Sequence, residues 1–466
     1  MIIVVLAAGK STRFKSSKHK ALHDLLGKKI IQRVSQALEK LNPAKTIYVL
    51  GHQLNEVRAE LKNKEDFVEQ KEQLGTGHAL LTALEGIYQK SPEKLQGILV
   101  TCVDTPLLTS QTLEKLIEST KTNKAKIGLL TTQINNPNDY GRIIRDGQKV
   151  KAIVEEKDAS ESQKVIKEIN AGVYYFDLPI EEVLQGLKSL KNNNQQKEYY
   201  LTDMIEWANQ AGHTVTALCA EDSSEVLGIN NRADLAEAIE QMSQRRIKEL
   251  QSEGVTFVNP NSTLVAPEAV IGQDTIVYPN CIILGNTEIG SNCTVGPNSF
   301  LQDSKVGNNS SIKYSHLLEA KIGNNCSVGP FANLRPGTKL LDEASVGDFV
   351  EIKNTTIASG SKVPHLSYIG DAEINEEVNI GAGTITANYN AITGEKGKTI
   401  IGKGVKVGSN SVLVAPVKIA DGCMVAAGTV VAEDVYDKDS LIIARNELRV
   451  KKGWVKEKSK NLSSNT

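Results

Sequence analysis

Two short stretches, far apart in the chain, set reactive residue types at spacings that could do chemistry. The first, Leu6-Ala7-Ala8-Gly9-Lys10-Ser11-Thr12-Arg13, puts small residues where a backbone must approach a ligand closely and then supplies Lys and Arg as cations. Amide groups of such a loop can cradle phosphate oxygens. Ordinary strand-to-helix turns also contain Ala and Gly, so the loop alone admits a purely structural reading. Asp104, ahead of Thr105-Pro106-Leu107, offers a carboxylate that suits either a hard cation or the N-cap of a helix. The second stretch, Val363-Pro364-His365-Leu366-Ser367-Tyr368, places an imidazole directly after a proline, where an apolar repeat is broken. Imidazole titrates near neutrality, as a general base should. A lone histidine is more often a surface or satisfied core residue. His365 differs from His19, His23, His52, His78, His213 and His316 in having Arg335 and Lys353 for company, two cations able to grip a phosphate.

Two architectures are needed to position these residues. From Ile2 to about Ile229 short aliphatic strands alternate with helical stretches, the pattern of a mostly parallel sheet covered by helices. Candidate strands are Ile2–Leu6, Thr46–Leu50, Gly97–Val103 and Ile127–Thr132. Ligands of such folds sit where strands end, which is where Ala7–Arg13 and Asp104–Leu107 fall. Further on, Ile401, Val407, Leu413, Ile419, Val425 and Val431 recur at every sixth residue. No helix or ordinary strand has that period, and a chain with it folds as a parallel β-helix, each hexapeptide forming one flat side. Related runs lie upstream: Val270, Ile276, Ile282; Ile289, Val295, Leu301; Val306, Ile312; Ile322, Val328, Leu334; Val346, Ile352; Ile374, Ile380. A valine-rich sandwich would instead alternate with period two.

The expected organisation is a first domain over 1–230, a connecting helix over 231–251, and a repeat domain over 252–466 that ends in a loose tail from Lys451. Within the repeats Thr386–Thr399 breaks the six-residue count, and an insertion into a solenoid projects from one face toward a ligand or a neighbour.

A chain of 466 residues exceeds what one core normally sustains. Its net charge of −1 argues against a general nucleic-acid binder. The six cysteines are scattered without metal spacing and read as reduced thiols. Ile2–Ala8 reads as a first strand and not a signal peptide. No apolar run approaches the roughly 20 residues of a membrane span, so a cytoplasmic protein is expected.

Together, Leu6-Ala7-Ala8-Gly9 with Thr12-Arg13, Lys20 before Leu22-His23, Gln73-Leu74-Gly75-Thr76-Gly77-His78-Ala79, Asp104, Gly141-Arg142, Glu155, Asn170-Ala171-Gly172 and Asn230 resemble a sugar-nucleotide pyrophosphorylase. More narrowly, they resemble the first half of the bacterial bifunctional N-acetylglucosamine-1-phosphate uridylyltransferase and glucosamine-1-phosphate acetyltransferases. Arg335, Lys353, His365, Tyr368, Asn379, Ala382, Asn388, Tyr389, Ser409, Ala427 and Arg445 fall on positions matching the second half.

The resemblance implies an α/β nucleotidyltransferase domain, Rossmann-like with a mostly parallel sheet, followed by a left-handed parallel β-helix of hexapeptide repeats. It implies that Leu6, Ala7, Ala8, Gly9, Gln70, Gly75 and Thr76 hold uracil and ribose, and that Arg13 and Lys20 face phosphates. Gly141, Glu155, Asn170 and Asn230 would serve the sugar, and Asp104 and Asn230 would carry Mg²⁺. In the second half His365 would be the base, Arg335, Lys353, Tyr368 and Asn379 would hold the sugar phosphate, and Ala382, Asn388, Tyr389, Ser409, Ala427 and Arg445 would hold acetyl-CoA. The implied product is UDP-N-acetylglucosamine, made from UTP and acetyl-CoA as co-substrates, and the implied assembly is a homotrimer with acyl-CoA between subunits. The chain departs from the family pattern at Ser11, Val103 and Asp139, where Gly is usual, and at His19, where Pro is usual. Val103 puts a branched side chain next to the implied metal ligand. Two rival readings are a nucleotidyltransferase for another sugar phosphate with a non-catalytic repeat domain, and a non-catalytic scaffold.

Overall fold

The computed structural model describes residues 1–61, 66–88, 96–444 and 450–456. The chain forms two compact units, Met1–Ser243 and Gln244–Thr466.

The first unit is built on one sheet with the strand order Val215–Cys219, Ile127–Gln133, Glu168–Pro179, Gln96–Cys102, Ile2–Ala7, Lys45–Leu50, Asp66–Glu69. Along this order all neighbours are parallel except Glu168–Pro179, which runs antiparallel to both of its own, and the antiparallel pair Arg142–Asp146 and Lys149–Val154 joins the same sheet through it. Alternation along the first strand explains why this sheet is central. Ile2, Val4 and Leu6 enter one apolar cluster and Ile3, Val5 and Ala7 another, so both faces are covered. The four strands expected from sequence are present: three are longer by one residue, and the one expected at Gly97–Val103 runs Gln96–Cys102, one residue earlier at both ends. The helix Arg232–Ser252 follows, close to the connecting helix expected.

The second unit is a left-handed parallel β-helix whose strands fall in rotation on three parallel sheets of 11, 10 and 9 strands. The comb residues Ile401, Val407, Leu413, Ile419, Val425 and Val431 are all buried in one continuous core. The first upstream run is corrected by one residue: Val270 and Ile276 face out, 54% and 36% exposed, while Ile271, Val277 and Ile283 are buried. The doublets Val270-Ile271, Ile276-Val277 and Ile282-Ile283 make the phase ambiguous in sequence, and burial chooses the set in step with Ile289. Corners are turned by residues in the left-handed region, among them Asn280, Asn298, Asn325 and Asn410. Cross-coil pairs such as Ile276 with Thr294, Thr294 with Ser311 and Ser311 with Ser327 give coils of 18, 17 and 16 residues, so the phase slips arise at corners. Asn379 pairs with Lys406, a coil of 27 residues that carries the Thr386–Thr399 insertion. The repeats extend past Val435 to a last strand at Leu441–Ile442. Among the described residues no helix is long and apolar enough to cross a membrane.

Candidate active sites

In the first unit the strand Ile2–Ala7 ends in the Ala8–Ser11 loop, which leads into a single 3₁₀ turn, Thr12–Phe14. Loop amides, and not a long helix, are therefore what this strand end presents. A Cβ added at Gly9 would meet nothing within 4 Å, so the loop borders open space. The Gln73 loop converges on it: a Cβ at Gly51 would lie 2.9 Å from Ala8 O and 3.0 Å from Gln73 Nε2. Gly75 sits at φ +108°, where a Cβ would be 2.6 Å from Tyr199 O, and Thr76 Oγ1 accepts from Leu201 N at 3.0 Å. Buried Gln70 donates to Gly75 O at 3.2 Å and lies 2.9 Å from His78 Nδ1. His78 is thus part of the loop's frame.

The charged residues lie opposite one another. Lys20 Nζ is 2.6 Å from Asp104 Oδ2. Arg13 donates to Asn230 Oδ1 at 2.9 Å and stands 3.4 Å from Asp139 Oδ2. Ile229 N–H donates to Asp104 O at 2.8 Å, tying the Asp104 and Asn230 loops together. A Cβ at Gly228 would fall 3.8 Å from Asp104 Cγ and 3.5 Å from Asn230 Nδ2, so both side chains border one small space. Their oxygens are each held by a cationic side chain, and one carboxylate with one amide suits a hard cation that keeps water and phosphate as further ligands. The residues present therefore fit Mg²⁺. A cavity of about 390 Å³ adjoins them, lined by Arg13, Asp139, Tyr140, Asn230 and Asp234.

Gly141, Glu155 and Asn170 also come together. A Cβ at Gly141 would lie 3.6 Å from both Asn170 Cβ and Glu155 Oε2, and Gly141 O accepts from Asn170 N at 2.9 Å. Burial raises the Glu155 carboxyl above its usual range, against the Thr202 hydroxyl that donates to it at 3.2 Å. The Cys102 thiol is pushed up to about 12, first by burial and then by Asp104, with Glu155 a smaller cause, so Asp104 and Glu155 are near enough to act on one buried group.

In the second unit the candidate residues fall into columns with one residue per coil. Asp348, His365, Ala382, Ser409 and Ala427 succeed each other down one corner. Asp348 pairs with His365, Lys362 with Asn379, Asn379 with Lys406 and Lys406 with Met424, and the corner residues keep these registers. Leu366 N donates to Asp348 O, Asn410 N to Ala382 O and Gly428 N to Ser409 O, at 2.9, 2.7 and 2.8 Å. His365 thus heads a strip floored by small side chains. The next sheet carries Glu351 paired with Tyr368, and Lys353 paired with Gly370, with Arg335 one coil before. Arg335 pairs with Glu351 at 2.7 Å. The Lys396 side chain, then Arg335, holds the Lys353 ammonium below the ordinary lysine range, so three cations gather there. Asn388 is buried and donates to Asp371, while Tyr389 is exposed in the insertion. Arg445 lies outside the described residues.

Comparison with known proteins joins the two sites. A MobA-like NTP transferase domain matches residues 3–163, and the bacterial transferase hexapeptide (six repeats) matches 268–303 and 398–433. The bifunctional protein GlmU of Heliobacterium modesticaldum is 45% identical over 458 residues, covering 98% of each chain. Those of Carboxydothermus hydrogenoformans and Trichormus variabilis are each 42% identical, covering 97% and 98% of this chain and 99% of theirs. The chain belongs to the bifunctional GlmU family. It is accordingly a uridylyltransferase and an acetyltransferase that makes UDP-N-acetylglucosamine.

Against the GlmU pattern the four departures acquire physical accounts. Ser11 and Asp139 keep the left-handed backbone, φ 53° and 68°, that the usual glycine adopts freely. His19 has φ −58°, compatible with the usual proline, and its buried ring adds two hydrogen bonds: Nε2 to Gly9 O at 2.9 Å, and Nδ1 accepting from Ala21 N at 3.2 Å. Burial lowers its pKa, which keeps the ring neutral. Val103 is buried in the apolar cluster with Ala7, Ala21 and Leu108. Sequence reasoning missed Asp348, Lys396 and Gly51. The 17-residue spacing of Asp348 and His365, one coil, was the available signal for the first.

Proposed function

We propose that the second unit acetylates glucosamine 1-phosphate from acetyl-CoA and the first then joins the resulting N-acetylglucosamine 1-phosphate to UMP from UTP. The observation carrying this reading is the pair of unlike constellations in separately cored units: Lys20 and Arg13 poised on the side-chain oxygens of Asp104 and Asn230, and an imidazole above a strip of small residues.

In the first site Leu6, Ala7, Ala8, Gly9, Gln70, Gly75 and Thr76 hold the nucleoside, and Gly141, Glu155 and Asn170 the acetylated sugar. The sugar phosphate oxygen bonds to the α-phosphorus of UTP as the bond to the pyrophosphate oxygen breaks. Such a transfer needs alignment and charge more than a side-chain nucleophile. Arg13 and Lys20 supply charge to the phosphates. Asp104 and Asn230 would hold Mg²⁺, which when bound would offset the negative charge of the phosphates.

In the second site Arg335, Lys353 and Lys396 grip the phosphate, and Tyr368 and Asn379 the sugar. His365 takes the proton of the amine as its nitrogen bonds to the thioester carbonyl, and the carbon–sulfur bond breaks to release CoA thiol. Ala382, Ser409, Ala427, Asn388, Tyr389 and Arg445 hold acetyl-CoA. Three copies of the chain assemble around this site. In support, Tyr314, Phe331, Phe349 and Leu366, 40–60% exposed, line the corner beside Asp348 and His365 as an apolar ridge that a second copy would cover. The six free cysteines support a cytoplasmic setting.

One coupled assay tests the scheme. Glucosamine 1-phosphate, acetyl-CoA, UTP and Mg²⁺ should together yield UDP-N-acetylglucosamine, thiol and pyrophosphate. Leaving out acetyl-CoA should stop the product unless N-acetylglucosamine 1-phosphate is supplied. Equal turnover of an unrelated sugar phosphate would overturn the substrate assignment, and a monomer in light scattering with full acetyl transfer would overturn the trimer.

A further inference from the structure

His365 has a partner that acetyl transfer, as set out above, leaves unused. Its Nδ1 meets Oδ1 of Asp348, the residue one coil before it on the same parallel ladder. The backbone on either side is pinned independently, since Leu366 N–H donates to Asp348 O at 2.9 Å. An ionised carboxylate can only accept, so the ring must present N–H at Nδ1, which leaves the Nε2 lone pair free. The hydrogen bond from His365 also holds the Asp348 carboxyl below the usual carboxylate range. Asp348 is therefore ionised wherever an amine acylation would run.

We propose that Asp348 is the positioning residue of acetyl transfer, holding His365 in the tautomer whose Nε2 can take the amine proton and stabilising the imidazolium that results. This rests on the reading of His365 as the base. As the amine nitrogen bonds to the thioester carbon, its proton passes to Nε2. As the carbon–sulfur bond breaks, the electron pair leaves on sulfur and the proton is returned to it. Asp348 stays ionised throughout. The alternative for an exposed Asp–His pair is a surface contact worth little, and the coils already have their backbone ladder. The side chains are 36% and 57% exposed, so the pair stands at the surface, where substrate can reach it.

The test uses the full-length enzyme with Asp348→Asn, Asp348→Ala, Asp348→Glu and His365→Ala, following thiol release and, on the same preparations, UTP turnover. Losing the orienting carboxylate should cut kcat for acetyl transfer by about 10- to 100-fold, below the ~10⁴-fold seen for a buried triad aspartate. KM for both substrates should stay within about twofold, and UTP turnover should not change. Asp348→Glu should recover part of the loss. Nitrogen-15 spectra of the His365 ring should show N–H at Nδ1 in the parent and a shift toward N–H at Nε2 in Asp348→Ala. If the Asn and Ala variants kept parental kcat while His365→Ala was dead, Asp348 would have no such role and the base would stand. If His365→Ala itself released thiol normally, the base reading would fall first. A loss confined to KM would make Asp348 a binding residue and overturn the proposal.

Discussion

The two candidate sites arrange their charged side chains by opposite means. In the first unit charge is matched within the chain: Lys20 lies on Asp104, and Arg13 between Asn230 and Asp139. Lys20 and Asp104 are mostly buried, where an unpaired charge is costly, so each supplies the other with a partner that substrate and metal could replace, whereas Arg13 and Asp139 are largely exposed. In the second unit Lys353 and Lys396 stand side by side, with Arg335 near. Such crowding is tolerable on the wet outer face of a β-helix, and phosphate would relieve it. The contrast also concerns completeness. Loops from several strand ends surround the first site, whereas the second is an open strip with one residue per coil.

The comparison breaks most visibly at Gly75. Its positive φ and the 2.6 Å approach of Tyr199 O leave no room for a side chain. Gly75→Ala should displace the nucleotide loop and lower UTP turnover by roughly 100-fold, a typical penalty for a misplacement near 1 Å. Thiol release should be unaffected. Near-parental UTP turnover would mean the loop is not part of a preorganised site.

A smaller effect should mark the crowded cations. Lys396→Ala should raise KM for glucosamine 1-phosphate about tenfold, equivalent to ~1.4 kcal/mol, with kcat little changed. Added salt should shrink the difference between variant and parent. A variant insensitive to salt and unchanged in KM would remove Lys396 from the phosphate grip.

The smallest expected effect concerns stability and distinguishes the desolvated unit from the exposed one. Burial, then Glu206 and Asp158, raise the Asp203 carboxyl to about 6, beside the Thr202–Glu155 contact. Its unfolded value is ~3.9, so the folded chain binds this proton more tightly and loses stability as pH rises through about 6. Asp203→Asn should therefore raise the melting temperature of the first unit above pH 6, with the gain vanishing near pH 4. A gain of equal size at both pH values would assign the effect to something other than ionisation.

The architecture of both units was legible because each rests on a simple apolar pattern. The unbroken apolar run from Ile2 reads as the first strand of a sheet covered by helices, and the comb from Ile401 predicts the β-helix. The period failed only where two aliphatics stand together, as at Val270-Ile271, because either could face inward. Asp348 and Lys396 were hidden for another reason. Their roles come from neighbours one coil away or across the insertion, and a residue's own spacing does not say what lies on the adjacent coil. His19 shows the same limit: a residue unlike the family's proline keeps the backbone angle and adds a strut to Gly9 that only the folded chain reveals.

The central claim, two chemistries in two separate sites, is tested most directly by crossing one variant from each. Asp104→Ala and His365→Ala are assayed side by side for UTP turnover with N-acetylglucosamine 1-phosphate and for thiol release with glucosamine 1-phosphate. Asp104→Ala should lose UTP turnover and keep thiol release. His365→Ala should lose thiol release by about 10²- to 10⁴-fold, the usual cost of removing a general base, and keep UTP turnover. Loss of both activities in either folded variant would contradict the account.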